Sequence, residues 1–254
     1  MAEIRKHAKH ALQALTNKSK DWKERIKDFL WEVFIILVAV NITLWFHNWS
    51  EKRHERVQVK EFLIDIRESL VQDTTNIRNF IKYTTNKQLA YYDSVLSQIN
   101  KNKIDAQYID SKYGYLVNIS DMNFNYGIYQ SFSFANNLRL IENRKLLSDI
   151  ISLYSNSLPA IQTNYKYMQD LRMSSFEKYI ALKIGFDNRS LTKLSTIIYQ
   201  PEVLYTFKMG GTFLKEINRQ GENINNQMAT IIQEIDQELK TRYNYKGRTD
   251  KTLP

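Results

Sequence analysis

One long unbroken apolar segment, residues 29–46, lies near the start of the chain, and the hydrophobic pattern after it becomes periodic. An unbroken run of this length predicts a helix that crosses a membrane, whereas apolar residues at three- and four-residue steps predict amphipathic helices. The run differs from a cleaved signal peptide, because no small-residue cleavage site follows it. We therefore expect an uncleaved membrane helix over 29–49.

All four tryptophans of the chain lie at the ends of this segment or close to it. Indole rings favour the membrane–water boundary because they combine an apolar body with a polar N–H. At a helical rise of ~1.5 Å per residue, Trp31 and Trp49 are about 27 Å apart, close to the ~30 Å thickness of the hydrocarbon core. The predicted membrane-interface anchors are Trp22, Trp31, Trp45 and Trp49.

An apolar stripe follows the span from Val59 to Ile99, and Asp73 is its one interruption. This spacing predicts an amphipathic helix of about a dozen turns, continuous with the membrane helix. Polar residues 100–103 end it, and residues 101–121 are expected to form a polar connection. A second helical region is predicted over roughly 123–154, with short breaks at Asn136, Asn137 and Asn143.

The rest of the chain continues the helical pattern. Pro159 is expected to start or kink the next helix, residues 185–188 to form a turn, and Pro201 to open a further segment. The pair Gly210 and Gly211 predicts a break or a close approach of two segments. The last helix has heptad-like apolar steps over 214–239, and the polar end of the chain is expected to be loose.

Together these elements predict an all-α fold, in which one N-terminal transmembrane helix continues into an elongated antiparallel helical bundle. The expected organisation is a basic amphipathic cytoplasmic segment over 1–28, the transmembrane helix over 29–49, an extracytoplasmic bundle over 50–245 and a flexible tail over 246–254.

Charge supports a membrane partner more than a nucleic acid. Residues 1–28 contain eight Lys and Arg against four acidic residues, so +4 of the net charge of +9 lies there. After residue 60 we find no basic cluster with interleaved aromatics, and we expect no nucleic-acid partner. Within fifteen residues of the span, five basic residues precede it and four follow it, which favours a cytoplasmic N-terminus.

Four residues of the span are candidates for intramembrane contacts, namely Glu32, Ala39, Asn41 and Thr43. Glu32, Ala39 and Thr43 share one helical face, suited to helix–helix contact, and Asn41 lies on the opposite face. Two such faces favour an oligomer. The Glu32 side chain either reaches back to the cytoplasmic headgroups or relays protons or ions, and both alternatives stay open.

The stretch 31–51, WEVFIILVAVNITLWFHNWSE, resembles the signature of an uncharacterised family of small single-span membrane proteins frequent in Bacteroidetes. In that family the span starts with Gly-Glu and ends with an Asn-Asn-Trp-Asn-Glu-like motif. Residues 60–70 resemble the family's next helix, and LRLIENRKL over 138–146 resembles a later segment. The resemblance implies a bacterial inner membrane, an N-terminus inside and no assigned activity. The matching motif residues are Glu32, Asn48, Trp49 and Glu51, and the departures are Trp31, Asn41, Trp45, His47 and Ser50.

Residues for catalysis or metal binding are scarce. The chain has no cysteine, which excludes disulfides, thiol catalysis and thiolate metal sites. Its histidines lie in or near the membrane segment, and the pair His47 and His54 has no converging carboxylates. No phosphate loop, nucleophile elbow or zinc-protease motif occurs. We expect no enzyme activity, no metal and no cofactor.

Three functions remain for such a chain. The first is an oligomeric membrane-anchored scaffold or accessory subunit, whose partners are the lipid bilayer, itself, or other membrane or periplasmic proteins. The second is an extracytoplasmic sensory module that signals through a partner, because helical bundles on a span can couple ligand binding to helix shifts. The third is an ion- or proton-coupled subunit that uses Glu32. All sixteen tyrosines follow residue 80 and are expected in the core or at its rim, with a ligand-stacking cage as the alternative.

Overall fold

The computed structural model describes residues 22–117, 121–175, 179–180, 183, 193–245 and 247. These residues form helices and connecting turns, and no strand occurs among them. The chain divides into two compact units, Met1–Val59 and Lys60–Pro254. Most of the predicted cytoplasmic segment, the turn at 185–188 and, except for Gly247, the tail over 246–254 lie outside the described residues.

The first helical stretch is continuous and contains one π-helical turn. Its part Ile26–Asn100 is the one helix among the described residues long and apolar enough to cross a membrane. The predicted continuity of the apolar helix with the amphipathic one is therefore confirmed. The stretch consists of α1 (Trp22–Phe80), the π turn Ile81–Thr85 and α2 (Asn86–Asn100).

Short helices follow where a polar connection was predicted, so that prediction is wrong in part. The Asp105 side chain accepts a hydrogen bond from the backbone N–H of Tyr108, 2.9 Å away, and starts the first of them. At the chain reversal, Asn136 adopts a left-handed conformation with φ of 57°, which confirms a predicted break. The elements are α3 (Ala106–Ser111), α4 (Gly114–Val117), α5 (Gly127–Phe134) and a 3₁₀ turn (Asn137–Leu140).

The next helices begin at predicted signals. The Asn143 side chain accepts a hydrogen bond from the backbone N–H of Leu146 and caps the first of them. Pro159 is the second residue of its helix, and a π turn directly precedes that helix. Proline has no N–H for the carbonyl four residues back, so this position suits a shift in hydrogen bonding. The elements are α6 (Arg144–Ser152), a π turn (Leu153–Ser157), α7 (Leu158–Ser175) and α8 (Leu194–Ile197).

The last helix, α9 (Pro201–Tyr243), begins at the predicted proline and passes through Gly210 and Gly211 without a break. A Cβ on Gly210 would lie 3.2 Å from ring atoms of Tyr92. The glycine pair therefore marks a close approach of two helices.

Polar contacts fix the direction of α9 within the unit Lys60–Pro254. Contact residues along α1, the π turn and α2 have increasing residue numbers, whereas the residues of α9 that they contact have decreasing ones. The two segments are therefore antiparallel. Helices α6 and α7 are antiparallel to α9 for the same reason, since Asn143 contacts Glu238 and Asn164 contacts Gln220. The contacts to α9 are Arg67–Asp236, Thr74–Met228, Thr85–Asn218 and Asp93–Lys215.

The short helices α3 to α5 run back beside α1 and α2. The Tyr91 hydroxyl donates to the Ile109 carbonyl, 3.0 Å away, and the rings of Phe62 and Phe132 stack with centroids 3.9 Å apart. The predicted antiparallel helical bundle is confirmed for this unit, with its second segment built from short helices. Its core includes the predicted apolar positions Leu63, Ile66, Leu70, Ile77, Leu146, Ile150, Met228 and Ile235.

Candidate functional site

The predicted anchors and contact residues of the span lie on the surface of their unit. Trp22, Trp31, Trp45 and Trp49 are all exposed, as are Ala39, Asn41 and Thr43, and Glu32 is partly exposed. Exposure of four indole rings in water is costly, so this surface is suited to a lipid environment.

The two polar donors in the middle of the span bond to the backbone of their own helix. The Asn41 side-chain amide donates to the Leu37 carbonyl, 2.7 Å away, and the Thr43 hydroxyl donates to the Ala39 carbonyl, 2.8 Å away. Bonds to a carbonyl one turn back give each of these side chains one partner within its own helix. They bring Thr43 together with Ala39 and leave the side-chain oxygen of Asn41 available.

Sequence reasoning noted Asp73 as an interruption of the apolar stripe but did not assign it a role. Asp73 is 3% exposed, in the middle of the buried face of α1. The backbone N–H of Asn125 donates to one of its carboxylate oxygens, 3.4 Å away. Burial raises the pKa of this carboxyl from 3.8 to about 6, and the Asn125 N–H opposes the rise.

Two tyrosines, Tyr126 and Tyr154, lie close enough to Asp73 to be affected by its charge. Burial raises the pKa of Tyr126 to about 12, and the charge of Asp73 adds to that rise. Burial likewise raises the pKa of Tyr154, Asp73 adds to it and the Ser69 hydroxyl opposes it. The rings of Tyr129 and Tyr154 stack with centroids 4.7 Å apart. A buried acid and three phenols thus lie in one part of the bundle.

Gln162 on α7 fastens the loop that carries Asn125. Its side-chain N–H donates to the Met122 carbonyl, 3.1 Å away, and its side-chain carbonyl accepts from the Tyr126 hydroxyl, 2.8 Å away. Together with the bond to Asp73, these contacts hold both ends of loop 121–126 to two different helices.

This loop forms one wall of a cavity of about 210 Å³. The other wall is the part of α1 that begins one helical turn after Asp73. The lining residues are Asn76, Ile77, Phe80, Asp121, Met122, Asn123 and Phe124. No pattern in the sequence predicts this cavity, because the cavity depends on how a loop packs on a helix.

Two π turns lie next to this region. The first begins at Ile81, directly after the cavity residue Phe80, and the second contains Tyr154. Single π turns within α-helices occur frequently at functional sites. Their position here marks the surroundings of Asp73 as the best candidate site in the bundle.

A second buried polar group, Arg172, has a structural role. Its guanidinium donates to the Leu116 carbonyl, 2.6 Å away, and to the Gln88 side-chain carbonyl, 3.4 Å away. These bonds join α7 to α4 and α2. Burial raises the pKa of nearby Tyr92, and the charge of Arg172 opposes that rise.

Within the described residues, no group of three His, Asp or Glu side chains is placed to hold a metal ion. His47 and His54 lie on α1, and His7 and His10 lie outside the described residues. No family model, no curated protein and no solved structure matches this chain. The resemblance to the Bacteroidetes family therefore stays a prediction.

Proposed function

We propose that this protein is a single-pass membrane protein of the bacterial inner membrane, with its helical bundle outside the cytoplasm acting as a scaffold or accessory subunit. One observation carries the proposal. The most apolar 18-residue window of the long helix has a mean hydropathy of 2.1, and none of that window is buried. A core helix of a water-soluble protein would bury such a surface.

The side of the membrane follows from charge. The positive-inside rule favours the basic N-terminal side in the cytoplasm, which leaves the 195-residue unit Lys60–Pro254 outside.

Self-association through the span is part of the proposal. Ala39 is small and exposed, and Thr43 and Glu32 lie on its face, so two helices could approach closely there. Because the chain contains no cysteine, single cysteines can be introduced into the natural background.

Disulfide crosslinking in native membranes tests this part. Ala39→Cys should form a crosslinked dimer on oxidation, and Leu37→Cys, at similar depth on the opposite face, should not. Monomeric Ala39→Cys under conditions that crosslink a known dimer would contradict self-association through this face. Purification of the full-length protein from its own membrane, followed by identification of co-purifying proteins, would then separate a scaffold from an accessory subunit.

A sensory module is the second candidate. The cavity beside Asp73, the two neighbouring π turns and the loop fastened by Gln162 favour it, because they place a candidate ligand site where helices have irregular hydrogen bonding. A ligand bound there would change the register of the helices that form its walls. Thermal unfolding of the full-length protein with candidate ligands tests this candidate.

A further inference from the structure

The cavity between α1 and loop 121–126 has a lining that selects for charge. Among the described residues that line it, Asp121 is the one charged residue, and none of them is Lys, Arg or His. In a chain of net charge +9, an anion site would be expected to use the abundant basic side chains. The lining therefore favours a positively charged occupant.

Two aromatic rings add to this preference. Phe80 and Phe124 line the same cavity as Asp121, and aromatic faces attract cations through their negative quadrupole. Phe80 is also held in place, since its ring meets Tyr165 edge-on with centroids 5.1 Å apart. An aromatic ring with a carboxylate suits an organic cation, which presents both charge and apolar surface.

A bare metal ion fits this lining less well. Divalent cations in proteins take several oxygen ligands, and hard cations prefer more than one carboxylate. The cavity offers one carboxylate and two asparagine side chains, beside Ile77 and Met122. Apolar walls would gain nothing from a hydrated metal ion, whereas they can bury the alkyl groups of an ammonium ion.

The size of the cavity sets the size of the ligand. About 210 Å³ lies below the ~300–1,000 Å³ that accommodates drug-sized molecules. A molecule with a single charged head and a few carbon atoms fits. The walls are also firmly held, because Asp73 and Gln162 fix the loop from both sides.

We propose that this cavity binds a small organic ammonium ion, with Asp121 as the charge partner and Phe80 and Phe124 as aromatic walls. The buried carboxylate of Asp73, one helical turn from the cavity, adds negative charge when it is ionised. The inference does not depend on membrane anchoring, because the cavity lies wholly within the unit Lys60–Pro254. For the sensory module, this inference names the class of ligand that is sensed.

Calorimetric titration of the full-length protein in maltoside micelles tests the proposal, with choline and its uncharged isostere 3,3-dimethylbutan-1-ol as probes. We expect saturable binding of choline with a millimolar Kd, and binding of the isostere weaker by about tenfold or more. Equal affinity for the two probes, or no saturable choline binding in the millimolar range, would overturn it.

Variants locate the binding. Asp121 is exposed, so Asp121→Asn should fold normally and weaken choline binding about tenfold. Phe124→Leu keeps apolar bulk without the aromatic face and should weaken it severalfold. Asp65→Asn, at an exposed position of α1 away from the cavity, is the matched control and should bind as the natural protein does. Undiminished choline binding by Asp121→Asn would refute the assigned site.

A second arm separates a free ammonium compound from a lipid headgroup. Phosphatidylcholine added to the micelles should compete with choline if the natural ligand is a headgroup, and should leave choline binding unchanged if the cavity takes only free ligands. Phosphatidylglycerol serves as the control lipid, because its headgroup carries no cation.

Discussion

Two segments of the same long helix differ in the exposure of their apolar side chains and in the partners of their polar ones. Over the predicted span, apolar side chains point in all directions and none is buried, and two polar side chains bond to their own backbone. Over the part that belongs to the bundle, one face is buried and polar side chains bond to other elements, as Arg67 does to Asp236. Both segments form a helix, but the bundle segment requires neighbouring helices on one face and the span requires apolar surroundings on every side.

This difference follows from the hydrophobic pattern of the sequence. An amphipathic stripe can be buried by a few neighbouring helices, whereas a helix that is apolar all round needs apolar surroundings on every side. Asp73 is an exception within the bundle, because it is an acidic residue on the buried face. Burial there disfavours the charged form and raises the pKa of its carboxyl.

The largest expected effect comes from the buried stripe. Leu70 is fully buried, so Leu70→Ala should lower the free energy of unfolding of the bundle by about 2–5 kcal/mol. Leu37→Ala in the exposed span should leave that free energy unchanged. Denaturant unfolding of both full-length variants in micelles, followed by circular dichroism, measures the difference. Equal losses would show that the two segments do not differ as described.

A charge in the span should affect insertion and leave the bundle intact. Leu37→Arg places a cation near the middle of the predicted membrane helix, at a cost of about 2.5–3.5 kcal/mol. We expect a smaller fraction of the protein in the membrane after carbonate extraction. Gln72→Arg, at an exposed position of α1 in the bundle, is the control. Full membrane retention of Leu37→Arg would contradict a transmembrane position.

Close packing at the first π turn gives a smaller effect. A Cβ on Gly221 would lie 2.6 Å from Cδ1 of Ile81, whereas at Gly211 the nearest atom is 3.9 Å away. Gly221→Ala should therefore be less stable than Gly211→Ala by about 1–2 kcal/mol of unfolding free energy, because the Ile81 side chain must shift to relieve the overpacking. Gly211→Ala should be neutral or slightly stabilising, because alanine favours the helix. The two melting temperatures give the comparison, and equal shifts would argue against tight packing at Ile81.

Titration of Asp73 gives an effect of similar size. The folded protein holds a proton on this group up to about pH 6, and the unfolded chain only up to about pH 3.8. Its contribution to stability is thus present below pH 3.8 and is lost as pH rises through 6. Asp73→Asn should remove this loss and stabilise the protein at pH 7.5 by about 1–2 kcal/mol.

The measurement is the melting temperature between pH 4 and pH 7.5. Asp65→Asn, at an exposed position of the same helix, should retain the natural pH dependence. An unchanged pH dependence in Asp73→Asn would show that Asp73 is ionised in the folded protein throughout that range.

Features of the fold with a local cause in the sequence could be predicted, whereas features that depend on distant residues could not. Asn143 and Pro201 act within one turn of a helix, and both predicted boundaries are confirmed. The Gly210 pair left two alternatives, and only the position of Tyr92 decides between them. The short helices at 106–117 were missed because their apolar residues are few and their support comes from other segments.

The cavity shows the same limit. Its walls come from residues about 40 positions apart in the chain, and the sequence revealed only the interruption at Asp73. The role of Gln162 was invisible for the same reason, since both of its partners lie on a loop that packs against α7 only in the folded bundle.

Single-cysteine labelling in intact spheroplasts tests the central claim most directly, since the chain has no natural cysteine. A membrane-impermeant maleimide should label Asn223→Cys, at an exposed position of α9, without permeabilisation. It should label Asn17→Cys only after permeabilisation and should not label Val38→Cys in either case. Labelling of Asn17→Cys and protection of Asn223→Cys would reverse the orientation, and ready labelling of all three in intact spheroplasts would contradict a membrane span.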